Sequence, residues 1–182
     1  MTTSNKIDQP TLMLRPWIKP PLSLAILRYT GRDDIICVEL PTASDPILKI
    51  NSEVELHGDH TIARYLCRAR PRSMLYAEDE EDAGFKAAEI DQYLAVCENY
   101  AGATLSSMQD LFVHLENRMI SRTFLVGHRL SIADIAVWLL LVGVPMNYDE
   151  FTNLNRWISH IESNTWHVWG PVCRALRGCL DA

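Results

Sequence analysis

The segment from Ile132 to Leu141 is apolar on every side of a helix except at one carboxylate, Asp134. A helix of this kind is expected at the centre of a helical unit, and its length is below the roughly 18 residues that span a bilayer. A buried helix start needs partners for its free N–H groups. Ser131 as N-cap and Asp134 three residues later fit a capping box with Asp in place of Glu. Both side chains are therefore predicted to be structural caps, not catalytic groups.

The rest of the second half of the chain also has helical spacing. Three apolar stripes consist of Ala87, Ile90, Leu94 and Cys97, then Leu105, Met108, Leu111, Phe112, Leu115 and Met119, then Leu154, Trp157, Ile158 and Ile161. A last helix is predicted over Val168 to Leu180, with an interruption near Gly170. These patterns predict an all-helical subdomain over residues 86–182.

The first part of the chain reads as β-α-β-β-β-α. Strands are predicted at Thr11–Leu14, Ile35–Leu40, Ile47–Ile50 and Val54–Leu56, and helices at Leu22–Tyr29 and Thr61–Ala69. This gives a small α/β subdomain over residues 11–76, preceded by a flexible tail at residues 1–10. Residues 77–85 contain five consecutive acidic residues and form an acidic linker to the helical subdomain.

Charge and cysteine content exclude several functional classes. The net charge of −6 argues against nucleic-acid binding through the overall field of the protein. Five widely spaced cysteines form neither a disulfide framework nor a zinc finger. They fit reduced thiols in the cytosol, and the N-terminus lacks the apolar core of a signal peptide. The pair His57 and His60 fits a turn and helix start better than a metal site, because further ligands at suitable spacing are missing.

The segment Leu125 to Ala136, Leu-Val-Gly-His-Arg-Leu-Ser-Ile-Ala-Asp-Ile-Ala, resembles the capping motif in the helical domain of glutathione transferases. Other segments resemble the N-terminal domain of eukaryotic glutamyl- and glutamyl-prolyl-tRNA synthetases. They are Pro20-Pro21-Leu22, Ile62 to Arg68, Leu75-Tyr76, Glu89 to Leu94 and Asn155-Arg156-Trp157. The resemblance covers about residues 12 to 165. Related domains occur in methionyl-tRNA synthetases and in scaffold proteins of multisynthetase complexes.

This resemblance implies an α+β, glutathione-transferase-like fold, with a thioredoxin-like α/β subdomain followed by the all-helical one. It also implies a cytoplasmic, non-catalytic domain that docks a glutamyl-tRNA synthetase onto another transferase-like protein, as a hetero- or homodimer. ATP and glutamate would then bind only in a downstream catalytic domain, and tRNA would be contacted at most indirectly. Three alternatives stay open: a divergent glutathione transferase, a free-standing scaffold or elongation-factor-like protein, and a structural homodimer with no heterologous partner.

The glutathione-binding features of the resembled enzymes are mostly missing from the sequence. Their loop before the first helix carries a Tyr, Ser or Cys that activates the glutathione thiol, whereas Pro16 to Pro21 contains no hydroxyl or thiol. Their second helix begins with an acidic residue and Ser, which bind a carboxylate. Gly58 and Asp59 stand there in this chain, and Asp59 is expected to repel that carboxylate and to cap its own helix. Pro46 lies within about one residue of the expected cis-proline. No catalytic residue, glutathione, other cofactor or metal is therefore expected in this domain.

Four residues are candidates for partner binding. Arg64 and Arg68 lie four apart on one helical face. They fit either a docking patch for an acidic partner surface or for RNA, or a solvated basic surface. The resemblance assigns Arg156 to ion pairs across a second partner-binding face, with Trp157 beside it. The other interpretation is that Trp157 belongs to the core and that Arg156 is merely exposed.

Overall fold

The computed structural model describes residues 9–15, 21–42, 44–70, 73–76, 82–142, 144 and 149–165. The strands are β1 (Thr11–Leu14), β2 (Ile36–Glu39), β3 (Ile47–Lys49) and β4 (Glu55–His57). The helices are α1 (Leu22–Tyr29), α2 (Asp59–Arg68), α3 (Ala83–Tyr100), α4 (Gln109–Arg118), α5 (Ile132–Leu141) and α6 (residues 152–165), with a 3-10 turn at Ser106–Met108. This order confirms the predicted fold class. The last predicted helix, Val168 to Leu180, lies outside the described residues.

The four strands form one mixed sheet in the order β2-β1-β3-β4. β1 pairs in parallel with β2, and α1 makes the crossover that a parallel connection requires. β3 pairs with β1 and β4 in antiparallel fashion. Leu12 and Leu48 are fully buried and stand opposite each other on β1 and β3. α1 ends at Tyr29 with Thr30 as its C-cap, and Gly31 follows with φ of 61°, a conformation that glycine adopts without strain.

The chain divides into two compact units, Met1–Leu66 and Cys67–Ala182. This division falls inside α2, upstream of the boundary at residue 76 that the sequence suggested. The reason lies in the segment after α2: Ile132 N donates a hydrogen bond to Leu75 O at 2.9 Å. Nearby, the Tyr76 hydroxyl donates to Asp91 Oδ1 at 2.7 Å. Leu75 and Tyr76 therefore belong to the helical unit.

The helical unit is organised around α5, in which nine of the ten residues are buried. α3 packs against α5, and the rings of Phe112 and Phe151 meet edge to face with centroids 5.6 Å apart. Apart from Asp134, α5 is apolar because it is enclosed in this way. Among the described helices, α5 included, there is none with the length and apolar content needed to cross a membrane.

Candidate functional site

The carboxylate of Asp59 lies at the N-terminus of α1. Its Oδ2 accepts a hydrogen bond from Leu22 N at 2.7 Å, and its Oδ1 accepts one from Ser23 N at 2.7 Å. The sequence predicted that Asp59 caps its own helix, α2, but both oxygens are directed to α1. The N-cap of α1 is Pro21, which makes no side-chain cap, so these N–H groups need an acceptor from elsewhere in the chain. Asp59 supplies that acceptor through two charge-assisted bonds.

The position of the Asp59 carboxylate opposes glutathione binding in the first unit. Asp59 is the first residue of α2, where the resembled enzymes hold the glutamyl carboxylate of glutathione, and its own negative charge opposes a second carboxylate there. The hydroxyl of Ser23 is fully buried and inside α1. It is therefore not exposed to a thiol in solvent. The peptide bond before Pro46 is trans, and residues 16–20 of the preceding loop lie outside the described residues.

Asp134 is the centre of a buried hydrogen-bond cluster in the helical unit. With Ser131 it forms a reciprocal capping box at the start of α5. Its Oδ2 accepts from Ser131 N at 3.0 Å and from Ser131 Oγ at 2.8 Å, and its Oδ1 accepts from Leu125 N at 2.8 Å. Burial raises the pKa of Asp134, and these hydrogen bonds oppose the rise. The carboxylate thus joins the start of α5 to the loop before it.

Trp157 is a core residue, so the assignment of its side chain to a partner surface is wrong. Only 1% of the residue is exposed, and its Nε1 donates a fourth hydrogen bond to Asp134 Oδ1 at 3.1 Å. A tryptophan is buried without penalty when its N–H finds an acceptor in this way. The apolar stripe that contains Trp157 indicated burial, but the acceptor for its N–H could not be identified from the sequence.

Arg156 and Glu116 cap each other's helices. Glu116 of α4 accepts hydrogen bonds from Leu154 N at 2.8 Å and from Asn153 N at 3.1 Å, at the start of α6. Arg156 of α6 donates through Nη2 to Met119 O, the C-cap carbonyl of α4. Desolvation raises the pKa of Glu116, but the hydrogen bonds from Leu154 and Asn153 outweigh it and lower the pKa below its usual value.

Arg156 is therefore an exposed residue whose guanidinium donates a hydrogen bond within its own chain, to Met119 O. A carboxylate at this position would face the C-terminal carbonyls of α4 and the nearby Glu116, so charge reversal there would change the fold together with any docking surface. Sequence reasoning found Arg156 but missed Glu116, because the two helices meet only in the folded protein.

The basic residues of α2 present an accessible face. Arg68 is exposed, and its guanidinium carbon lies 4.4 Å from the centroid of the Tyr76 ring. This cation–π contact restricts the side chain of Arg68. Arg64 is half-buried on the same helix, and the opposite face of α2 is formed by buried residues such as Ile62 and Leu66. Docking through Arg64 and Arg68 stays a prediction.

The cysteines of the described part of the chain do not form a reactive or metal-binding centre. Cys67 and Cys97 are buried and Cys37 is exposed. Burial raises the pKa of Cys97 to about 12, so its thiol stays protonated and unreactive. Within the described ranges there is no cluster of three or more His, Cys, Asp or Glu residues that could hold a metal ion.

Comparison with known sequences finds glutamate–tRNA ligases. The chain is 25% identical over 150 residues to the cytoplasmic glutamate–tRNA ligase of Arabidopsis thaliana, a match that covers 78% of this chain and 20% of the ligase. It is 29% identical over 147 residues to the bifunctional glutamate/proline–tRNA ligase of Mus musculus, covering 79% of this chain and 9% of that protein. The chain thus spans a fifth or less of the length of these two relatives. The matched parts are N-terminal regions.

A further relative is much shorter. The chain is 23% identical over 124 residues to eukaryotic translation elongation factor 1 epsilon-1 of Mus musculus, covering 64% of this chain and 69% of that protein. No protein-family model matches the chain.

Solved structures give the fold. A delta-class glutathione transferase from Nilaparvata lugens superposes with a TM-score of 0.74 at 17% identity, covering 94% of this chain and 98% of the enzyme. The GST-like domain of elongation factor 1-gamma from Saccharomyces cerevisiae superposes with a TM-score of 0.71 at 14% identity, covering 86% and 90%. The chain has the glutathione-transferase-like fold, and the sequence similarity confirms the resemblance to the N-terminal regions of glutamyl-tRNA synthetases.

Proposed function

We propose that this chain is a non-catalytic adaptor domain that docks a glutamate–tRNA ligase polypeptide onto another synthetase or onto a scaffold protein of a multisynthetase complex. The observation that carries the proposal is the carboxylate of Asp59 on the first N–H groups of α1, in a fold whose enzymes bind an anionic tripeptide. The similarity to short parts of glutamate–tRNA ligases supports the same interpretation. ATP and glutamate would bind in a catalytic domain elsewhere in the polypeptide.

The adaptor would act by raising local concentration. Two modules held on one scaffold meet at an effective concentration set by their linkage, without any new contact between their active sites. The partner proposed here is another glutathione-transferase-like domain, in a hetero- or homodimer located in the cytoplasm. The net charge of −6 makes direct tRNA binding a poor basis for the interaction.

The docking surface proposed for this partner is the basic face of α2, on which Arg68 is exposed and Arg64 half-buried. Arg68 is held in place by the Tyr76 ring, and Arg64 lies one turn before it. An arginine that is already ordered loses less side-chain entropy when it binds a carboxylate, so this face suits an acidic partner surface. Such charges contribute chiefly to specificity and to the rate of association.

Reversal of these two charges tests the docking proposal. The double substitution Arg64→Glu and Arg68→Glu is expected to reduce recovery of synthetases and their scaffold proteins from native cytosol at least about tenfold, because an acidic partner surface would then be repelled. Recovery is measured by quantitative mass spectrometry with the tagged chain as bait. Lys49→Glu, a reversal of an exposed charge on β3, is the matched control and should leave recovery unchanged. Equal recovery by the double variant and the wild-type chain would contradict the proposal.

The match to elongation factor 1 epsilon-1, which covers 69% of that protein, favours a second candidate function. Under this alternative the chain is a free-standing, elongation-factor-like scaffold. The two candidates differ in the transcript: an adaptor domain of a ligase is followed in the same reading frame by a sequence with aminoacylation motifs. Sequencing the full transcript distinguishes them.

A further inference from the structure

A polar cavity of about 440 Å³ lies within the helical unit, between the start of α3 and the loop that joins α4 to α5. α3 contributes Phe85, Lys86 and Glu89 to the wall of this cavity, and the loop contributes residues 121–123 and 127–128. Small-molecule sites in proteins commonly have volumes of about 300 to 1,000 Å³. The cavity is therefore large enough for a small organic ligand.

The charges around this cavity favour an anion. Lys86 and Arg122 are half-buried, so water and salt screen their charges less than those of fully exposed groups. Two carboxylates also line the cavity. Glu89 forms an ion pair with Arg118, which balances its charge, and Asp82 is exposed to the screening solvent. The two half-buried cations therefore outweigh the carboxylates.

The loop places further donors beside the ammonium group of Lys86. Gly127 has φ of 64°, and a Cβ added to it would lie 3.6 Å from Lys86 Cε and 3.9 Å from Lys86 Nζ. The ammonium group thus lies along the loop backbone, next to His128. Ser121 and Thr123 add two hydroxyl groups to the lining. This set of donors exceeds what the two oxygens of a carboxylate can accept, and it suits the three terminal oxygens of a phosphate monoester.

An exposed aromatic ring borders the same cavity. Phe85 is 72% exposed near the start of α3, although it is a large apolar residue. An exposed ring provides a flat apolar face on which a nucleobase can stack. The net charge of −6 opposes a polyanion, so a ligand with one phosphate group fits this chain better than a nucleic-acid strand.

We propose that this cavity binds a nucleoside monophosphate, with the phosphate held by Lys86 and Arg122 and the base stacked on Phe85. The loop hydroxyls donate hydrogen bonds to the remaining phosphate oxygens. Neither Arg64 nor Arg68 lines the cavity. The site is therefore separate from the basic face of α2, and it is independent of the proposed adaptor role.

Isothermal titration calorimetry of the whole chain with adenosine monophosphate tests the proposal. Saturable binding is expected, and Lys86→Gln and Arg122→Gln should each raise the dissociation constant about tenfold, because each change removes a charge-assisted hydrogen bond. Lys49→Gln and Arg28→Gln remove the same types of charge outside the cavity and are the matched controls, with no change expected. A wild-type chain without saturable binding, or controls that weaken binding as much, would overturn the proposal.

Two further ligands test the two halves of the site. Inorganic phosphate and adenosine should each bind about tenfold or more weakly than adenosine monophosphate, because each lacks one of the two contacts. Phe85→Ala should weaken binding of adenosine monophosphate and leave that of inorganic phosphate unchanged. Equal affinity for inorganic phosphate would refute the stacking of the base, and equal affinity for adenosine would refute the phosphate contact.

A titration of the wild-type chain followed by two-dimensional NMR keeps the proposal testable if a variant fails to fold. Adenosine monophosphate should shift the amide resonances of Ser121, Thr123 and Gly127 most, because these residues line the cavity. Amide resonances of α1 and of the sheet should stay in place. Shifts confined to the α/β unit would show that the nucleotide binds elsewhere and would contradict the proposal.

Discussion

Replacement of Asp134 by alanine is expected to lower the free energy of unfolding by about 3 to 5 kcal/mol. The side chain accepts four hydrogen bonds, from Leu125 N, Ser131 N, Ser131 Oγ and Trp157 Nε1. Alanine would leave buried donors without an acceptor, at about 1 to 3 kcal/mol each. It would also remove the desolvation cost of the buried carboxylate, which offsets part of that loss. The loss is measured by urea unfolding followed by circular dichroism.

Two variants make this expectation specific. Asp134→Asn keeps one carbonyl oxygen and should lose less stability than alanine, because part of the cluster remains bonded. Asp110→Ala removes an exposed carboxylate from the first turn of α4 and should cost less than about 1 kcal/mol. If Asp134→Ala unfolds at the same urea concentration as Asp110→Ala, the carboxylate is not the structural centre that its contacts indicate.

Asp59→Ala is expected to lower the free energy of unfolding by about 2 to 3 kcal/mol. The change removes both acceptors of the first α1 N–H groups, at Leu22 and Ser23, and hydrogen bonds to a charged group are stronger than neutral ones. Amide hydrogen exchange provides a local measurement: the amides of Leu22 and Ser23 should lose protection more than the rest of α1.

Asp33→Ala is the control for this effect, since Asp33 is an exposed carboxylate in the loop between α1 and β2. Its substitution should change the free energy of unfolding by less than about 0.5 kcal/mol. The assignment of Asp59 as the cap of α1 would be refuted by unchanged protection of Leu22 and Ser23 in Asp59→Ala.

The sequence predicted the elements well because their signals are local. The capping box of Ser131 and Asp134 spans four residues, and the apolar stripes are repeated at helical spacing, so both can be recognised in isolation. The strands of the α/β unit were likewise bounded by turn residues, and they lie within one or two residues of their expected positions.

The hydrogen bonds at Asp59 and Glu116, by contrast, join residues that are far apart in the sequence. Asp59 and Leu22 lie 37 residues apart in the sequence, and Glu116 and Leu154 lie 38 apart. No local pattern distinguishes a carboxylate that caps its own helix from one that caps a distant helix, because both occur at helix starts. The same holds for Trp157, whose burial depends on the position of Asp134 in the folded chain.

The chain has the glutathione-transferase-like fold, and the central proposal is that it does not bind glutathione. Isothermal titration calorimetry of the folded chain with glutathione tests it directly, because a bound tripeptide would have to place its carboxylate near Asp59. We expect no saturable heat of binding at millimolar glutathione, and no change in the unfolding midpoint. Saturable binding would contradict the proposal and would favour the alternative of a divergent transferase.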